Sequence, residues 1–205
     1  MILKKIIVHH FGPVASNPSA STLNLTESHI ENAHTAAGFY LSAMGWHIGY
    51  QIIIYADGSF KQYRLIGEEG CHTIGSNLDS VGICLSGNFQ QGIDQPTDAQ
   101  KMALKRITQF LLDRTPERIG LKVARDTVLD FSIANVGPHR QFDTRRECYG
   151  NLPDNWVQTL LYDYTSQVTI LRRTLDEAMK LLQTLLAQLQ SKKLGRDDKG
   201  CDGHI

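Results

Sequence analysis

Three short, nearly unbroken runs of branched apolar residues constrain this fold most: Ile2 to Val8, Gly49 to Tyr55 and Val81 to Leu85. Each is too short for a stable helix and reads as a strand buried in a sheet. A sheet covered in this way needs helices packed on it, and the sequence supplies them. Ser28-His-Ile-Glu31 has the form of a capping box, and Ile30, Ala33, Ala36, Ala37, Tyr40, Leu41 and Met44 keep helical spacing up to Gly45. Thr97-Asp-Ala-Gln100 is a second capping box, opening a helix through Met102, Leu104, Ile107, Phe110 and Leu111 to about Thr115. Asp57-Gly58 turns the second apolar run into Phe60 to Arg64 as a hairpin. Phe11 to Ser21, rich in Pro, Ser, Asn and Gly, reads as loop. The expected class is α/β (α+β), a central mixed sheet flanked by helices.

Pro153-Asp-Asn-Trp156 is expected to start a shorter helix that closes this domain near Tyr164. From Val168 to Lys193 the composition turns to Leu, Gln, Lys, Thr and Ala with no glycine or proline, which predicts one long helix. Val168, Leu171, Leu175, Ala178, Leu182, Leu185 and Leu189 alternate by three and four, an a/d seam. Ile170, Leu181 and Leu186 widen it. An apolar stripe of this kind must be covered by a second copy or by the rest of the chain, so a homo-oligomer through 168–189 is one expectation. Residues 194–205 are polar and glycine-rich and are expected to be disordered. The domain reading is thus 1–165 for the globular part, 166–193 for the heptad helix and 194–205 for the tail.

Charge and cysteine usage narrow the classes of function. Lys and Arg (21) balance Asp and Glu (21), so no overall field draws the chain to nucleic acid or to an anionic membrane. Met1 to His10 lacks the apolar core and cleavage site of a secretory signal, and no segment approaches the roughly 20 apolar residues of a membrane span. The expectation is a chain that is cytoplasmic as synthesised. Cys71, Cys84, Cys148 and Cys201 form no CxxC pair, which argues against a four-cysteine zinc site and a disulfide scaffold. Cys84, inside an apolar run, reads as a small buried hydrophobe.

Three zinc-compatible side chains fall where elements end: His9 or His10, His139 and Cys148. Two imidazoles and a thiolate make a three-ligand set that leaves a fourth position for water. His9 and His10 must point to opposite faces of their strand, so they do not share one metal. The words around these residues occur in one order: Ile7-Val-His-His10, Gly45-Trp-His-Ile-Gly-Tyr50, Asp57-Gly58, Gly70-Cys-His72, Asn77, Ser80-Val-Gly-Ile-Cys-Leu-Ser-Gly-Asn-Phe89 and His139-Arg-Gln-Phe-Asp-Thr-Arg-Arg-Glu-Cys148.

That series resembles the type 2 zinc amidases, the family of peptidoglycan-recognition proteins and bacteriophage lysozymes, over roughly residues 5 to 160. The resemblance implies cleavage of the amide between the lactyl group of N-acetylmuramic acid and L-alanine of peptidoglycan, as in a phage or prophage endolysin. It implies zinc ligands at His9, His139 and Cys148. It implies a catalytic tyrosine at Tyr50 and substrate contacts at His72 and Asn77. The transition-state helper falls at Arg146, with Thr144 and Glu147 as alternatives. His10 is then spare, and His29, His34 and His47 are expected to be ordinary helix and loop residues. The family often has a histidine near the end of the helix before the Gly-Trp word, whereas Phe39 to Met44 has none, so a different groove wall is expected. Some relatives bind peptidoglycan without cutting it, usually lacking a ligand such as the cysteine. A binding or regulatory protein is therefore the alternative reading.

Overall fold

A computed structural model describes residues 1–14, 16–90, 92–145, 148 and 150–197, with side chains described outside 163–173 and 190–197. The chain divides into two compact units, Met1–Leu161 and Tyr162–Ile205. In the first unit the apolar runs become β2 (Lys5–His10), β3 (Ile52–Ile54) and β5 (Ser80–Leu85), joined by β4 (Phe60–Gln62) and β7 (Val136–Pro138). They form a five-stranded mixed sheet in the order β4-β3-β5-β2-β7, antiparallel only between β3 and β4. A short parallel pair, β1 (Ile2–Leu3) and β6 (Val128–Leu129), lies outside it.

Strand alternation divides the buried residues between the two faces. Ile6, Val8, Ile52, Ile54, Val81, Ile83 and Leu85 pack with Leu104, Ile107 and Leu111 of α2 (Asp98–Leu112). Ile53 and Cys84 face the other way, toward Ile30 of α1 (Glu27–Ala36), Ile48 and Tyr63. Each fully buried aliphatic side chain contributes about 1.5–3 kcal/mol, so the central strands anchor both layers. Cys84 is fully buried, as its apolar run implied.

The second capping box forms as expected: Thr97 Oγ1 accepts from Gln100 N, and Gln100 Oε1 accepts from Thr97 N, both at 3.1 Å. Such a cap is worth about 1 kcal/mol. Gln100 also reaches inward, donating to the Ser86 carbonyl at 2.8 Å, which ties the helix start to the end of β5. The Asp57-Gly58 hairpin forms too, with Gly58 at φ +82, where a Cβ would stand 2.8 Å from the Ala99 carbonyl.

The first helix departs from expectation at both ends. Its N-cap is Thr26, and it stops at Ala36, followed by Gly38 at φ +77, so Phe39 to Met44 are not helical. Glu31 does not close a capping box. Its carboxylate instead accepts from the His47 and Ile48 backbone N–H groups at 2.9 and 3.1 Å, pinning α1 to the Gly-Trp loop. At the far end, one helix, α4, runs from Trp156 to Asp197, where two were expected. Residues 194–197, expected to be disordered, belong to that helix, while 198–205, including Cys201, lie outside the described residues. No described helix is long and apolar enough to cross a membrane.

In the second unit Leu175, Leu182, Leu185 and Leu189 are 64, 58, 52 and 64% exposed, as are Leu181 and Leu186 beside them at 65 and 56%. Val168, Ile170 and Leu171 of the seam lie among the residues without described side chains. Exposed leucines at heptad spacing call for a partner, and pairing with a second copy is the proposal that follows. The full chain should scatter light above its monomer mass, and Leu182→Glu combined with Leu185→Glu should return it to a monomer. Monomer masses for both would end the self-association reading.

Candidate metal centre and its groove

Parallel register gathers the centre. Val8 pairs with Pro138 across β2 and β7, so the chain delivers His9 and His139 to the same strand ends, on the same face. Their rings lie 4.6 Å apart, in an edge-to-face arrangement. His139 opens the one-turn helix α3 (His139–Phe142), and Cys148 returns nine positions later with its Sγ 3.9 Å from His9 Nδ1. Among the described residues, His9, His139 and Cys148 form a potential ligand group whose donor atoms all lie within 4.8 Å of one another. His9 and His139 are buried, and Cys148 is half-buried.

The return loop is held by backbone capture. The His10 N–H donates to Cys148 Sγ at 3.2 Å. The Arg140 guanidinium donates to the Gly150 carbonyl at 2.6 Å and also to the Leu152 carbonyl, and its Nε binds Asp154. One arginine, next to His139 in the chain, thus fixes the loop that carries Cys148. Asp143, four residues after His139, has one oxygen 3.9 Å from His139 Nε2. Bidentate donation from Arg145, at 2.8 and 3.0 Å, holds its carboxyl down to about 2.

His10 faces the opposite side from His9, as strand geometry requires. It is buried, stacks on Phe89 at 5.5 Å and accepts the Phe89 N–H on Nδ1 at 3.0 Å. The spare histidine therefore secures the Gly-Asn-Phe turn beneath the centre.

Above the ligand group lies a groove of about 550 Å³, bordered by Phe39, Tyr40, Ile74 and Gln90 among others. Tyr50 sits on its floor with its ring 5.1 Å from His9. His34 lines the groove too, stacked on Phe39 at 4.6 Å, with Nδ1 accepting the Gly49 N–H at 3.1 Å. This corrects the expectation that the helix before the Gly-Trp word has no histidine at its end: α1 is short, so His34 occupies its last turn. The signal was Gly38, which stops the helix eight residues before Trp46 and leaves a seven-residue loop, Gly38 to Met44. His47, half-buried and paired with Glu31, and exposed His29 lie outside the groove.

His72 and Asn77 both line the groove. Asn77 Oδ1 accepts from the His72 and Thr73 backbone N–H groups at 2.9 and 2.8 Å, so the loop between them is closed by its own side chain. Thr144 is exposed, while Arg146 and Glu147 lie outside the described residues.

The electrostatics suit a cation. Burial, then the neighbouring His72, His139 and His10, hold His9 well below the usual histidine value. Burial brings His72 to about 3, and His10 and His34 to about 4. Burial pushes the Cys148 thiol up to about 12, against the opposing pull of the His10 N–H. A neutral His9 imidazole and a thiol beside it that burial keeps protonated are groups whose donor forms a nearby cation would favour.

Residues 2–151 match the family model described as N-acetylmuramoyl-L-alanine amidase. No curated protein sequence matches the chain. Among solved structures, the chain is similar to the amidase LysC from Clostridium intestinale URNW, at 23% identity and TM-score 0.51, covering 73% of this chain and 77% of that one. It is similar to the Ph2119 endolysin of a Thermus scotoductus MAT2119 bacteriophage, at 20% identity and TM-score 0.53, over 78% and 86%. It is also similar to human PGRP-IBETAC, solved with glycosamyl muramyl pentapeptide, at 16% identity and TM-score 0.53, over 77% and 82%. At these identities the likeness establishes a shared fold.

The buried histidines make stability depend on pH. Where the folded value is depressed, the folded chain binds fewer protons than the unfolded one. Stability is then complete above about pH 6.5 and is lost as pH falls toward 4. Urea midpoints of metal-free protein should drop steadily between pH 7 and pH 5. His10→Ala should lower the pH 7 midpoint, since an orphaned Phe89 N–H costs about 1–3 kcal/mol, and should flatten the acid slope. A midpoint that is level across this range would contradict the neutral, buried state of these rings.

Proposed function

The chain belongs to the N-acetylmuramoyl-L-alanine amidase family, and from that premise we propose that it is a zinc-dependent amidase. It cuts the bond between the lactyl group of N-acetylmuramic acid and L-alanine of the stem peptide. The observation that carries the proposal is the His9, His139 and Cys148 donor group, within 4.8 Å, on a groove floor. Tetrahedral zinc with bonds of 2.0–2.3 Å sets its ligand atoms about 3.4–3.7 Å apart, so the His9 Nδ1 to Cys148 Sγ spacing of 3.9 Å fits with little movement. Two imidazoles and a thiol that can ionise are the donor types that zinc takes. When bound, zinc supplies Lewis acidity, making water a nucleophile near neutral pH and polarising the scissile carbonyl.

The remaining work falls to this chain's own groups. His9, His139 and Cys148 would hold the metal at the groove floor. Tyr50, packed beside His9, donates its hydroxyl to the oxygen on which charge develops as the amide is attacked. Arg146 stabilises the same charge with its guanidinium. The amide end of Asn77 that does not close the 72–77 turn meets the stem peptide. The groove's volume lies in the range typical of sites that enclose a ligand of drug size.

We place the enzyme as an endolysin, a reading supported by its fold likeness to a bacteriophage endolysin. It would be cytoplasmic as synthesised and act on the wall after release. A recycling enzyme for soluble muropeptides is separated from it by substrate: an endolysin clears polymeric walls.

The purified protein should contain about one zinc per chain by metal analysis and reduce the turbidity of purified cell walls. Cys148→Ser should lose both properties. Tyr50→Phe keeps the ring and the metal, and its kcat should fall by about 10² to 10³, as on loss of one oxyanion donor. Zinc-loaded protein that binds walls and never clears them would favour the non-catalytic recogniser. An unchanged kcat in Tyr50→Phe would remove that residue from the chemistry.

A further inference from the structure

We infer that His72 is the positioning residue for His9, accepting its Nε2–H and so committing Nδ1 of that ring to the metal; the inference rests on the zinc reading above. The two sides of the His9 ring face different partners. Nδ1 looks toward Cys148 Sγ at 3.9 Å, while Nε2 lies 3.1 Å from His72 Nδ1. Thr73 Oγ1 completes a triangle, 3.0 Å from His72 Nδ1 and 3.5 Å from His9 Nε2. A neutral imidazole has one donor and one acceptor nitrogen. If His9 offers the lone pair of Nδ1 to a cation, its proton sits on Nε2, and the nearer acceptor is His72 Nδ1, at 3.1 Å against 3.5 Å for Thr73 Oγ1.

The surroundings of His72 are built for this task. The ring is buried and lies between two glycines: a Cβ at Gly70 would stand 2.4 Å from His72 Cδ2, and a Cβ at Gly82 would stand 2.6 Å from it. Gly82 lies inside the central strand β5, where a side-chain-less residue weakens pairing unless something occupies the slot. Asn77 Oδ1 holds the backbone of His72 and Thr73 from below. Nε2 of His72 has no hydrogen-bond partner among the described residues. An imidazole kept in an enclosed slot with one nitrogen unused is there for its other nitrogen, and that nitrogen faces His9. Metal-bound histidines almost always donate their second N–H to an orienting acceptor. The usual partner is a carboxylate or a carbonyl. Here it is another imidazole, and the substrate-contact role implied by family resemblance becomes secondary.

The test uses the full chain and compares substitutions that differ in where they put an acceptor. Asn places its Oδ1 near the position of His72 Nδ1, Gln carries the same amide one methylene further, and Leu has no acceptor. Zinc affinity is read by competition with a chromophoric chelator, and ligand geometry by the visible spectrum of the cobalt-substituted protein, with a thermal melt for folding. His72→Leu and His72→Gln should bind zinc about 10- to 100-fold more weakly and shift the cobalt bands. His72→Asn should stay within about threefold of wild type and keep them. If His72→Leu does not fold, the Asn and Gln pair decides, because both carry the same polar group. Wild-type zinc affinity and cobalt spectrum in the Leu or Gln protein would overturn the proposal, including when wall cleavage falls through KM alone. Wild-type protein that takes up no zinc would instead defeat the zinc reading on which it rests.

Discussion

The pairing of β7 with β2, Val8 level with Pro138, is the constraint on which the rest of the centre depends. It sets His139 beside His9 at the carboxyl ends of adjacent parallel strands, where loops leave the sheet and a groove can open. A slip of one residue would turn His9 into the core and His10 out, because strand side chains alternate. The large core cluster, with Ile6 and Val8 on one side and Leu104, Ile107 and Leu111 on the other, makes that slip prohibitive. The chemistry of the site therefore inherits its precision from aliphatic packing on the opposite face of the same strand.

Around this anchor, neighbours that belong to the scaffold hold the thiol, its loop and the groove wall. His10 gives its backbone N–H to Cys148 and its ring to the Phe89 turn, so one residue couples the thiol to the floor of the groove. Arg140 closes the loop after Cys148 from a position next to His139. The groove wall is supported from the other side by Glu31, which ties α1 to the Gly-Trp loop and leaves His34 facing the groove.

What was legible in the sequence depended on how local its cause was. The Thr97 cap, the Asp57-Gly58 turn and the double-buried strands are decided within a few residues, and they form as read. Ser28 and Glu31 match the same capping pattern as Thr97 and Gln100, yet Glu31 is drawn away by backbone amides sixteen and seventeen residues on. No local pattern reports such a competition. His34 was missed for a related reason: extending α1 to Gly45 buried its terminus inside an imagined helix. The break expected between Tyr164 and Val168 rested on a change in composition, but Thr165, Ser166 and Gln167 contain neither glycine nor proline, and the helix runs through them. That His9, His139 and Cys148 would come together was readable because flanking words fixed their order. Which nitrogen of His9 faces Cys148 was not, since that is set by neighbours brought in by the tertiary fold, His72 among them.

Strand register also bears on the order in which folding and the proposed metal binding would occur. In small zinc domains the ion gathers its ligands from a disordered chain, and its binding energy becomes folding energy. Here His9, His139 and Cys148 are brought together by strand pairing and a held loop, with burial disfavouring the charged forms of His9 and Cys148. Under the zinc reading proposed above, folding would come first and the ion would be a late guest. A chelator would then silence the chemistry and leave the architecture standing, so the protein could be stripped and reloaded as a matter of metal supply, without passing through the unfolded state.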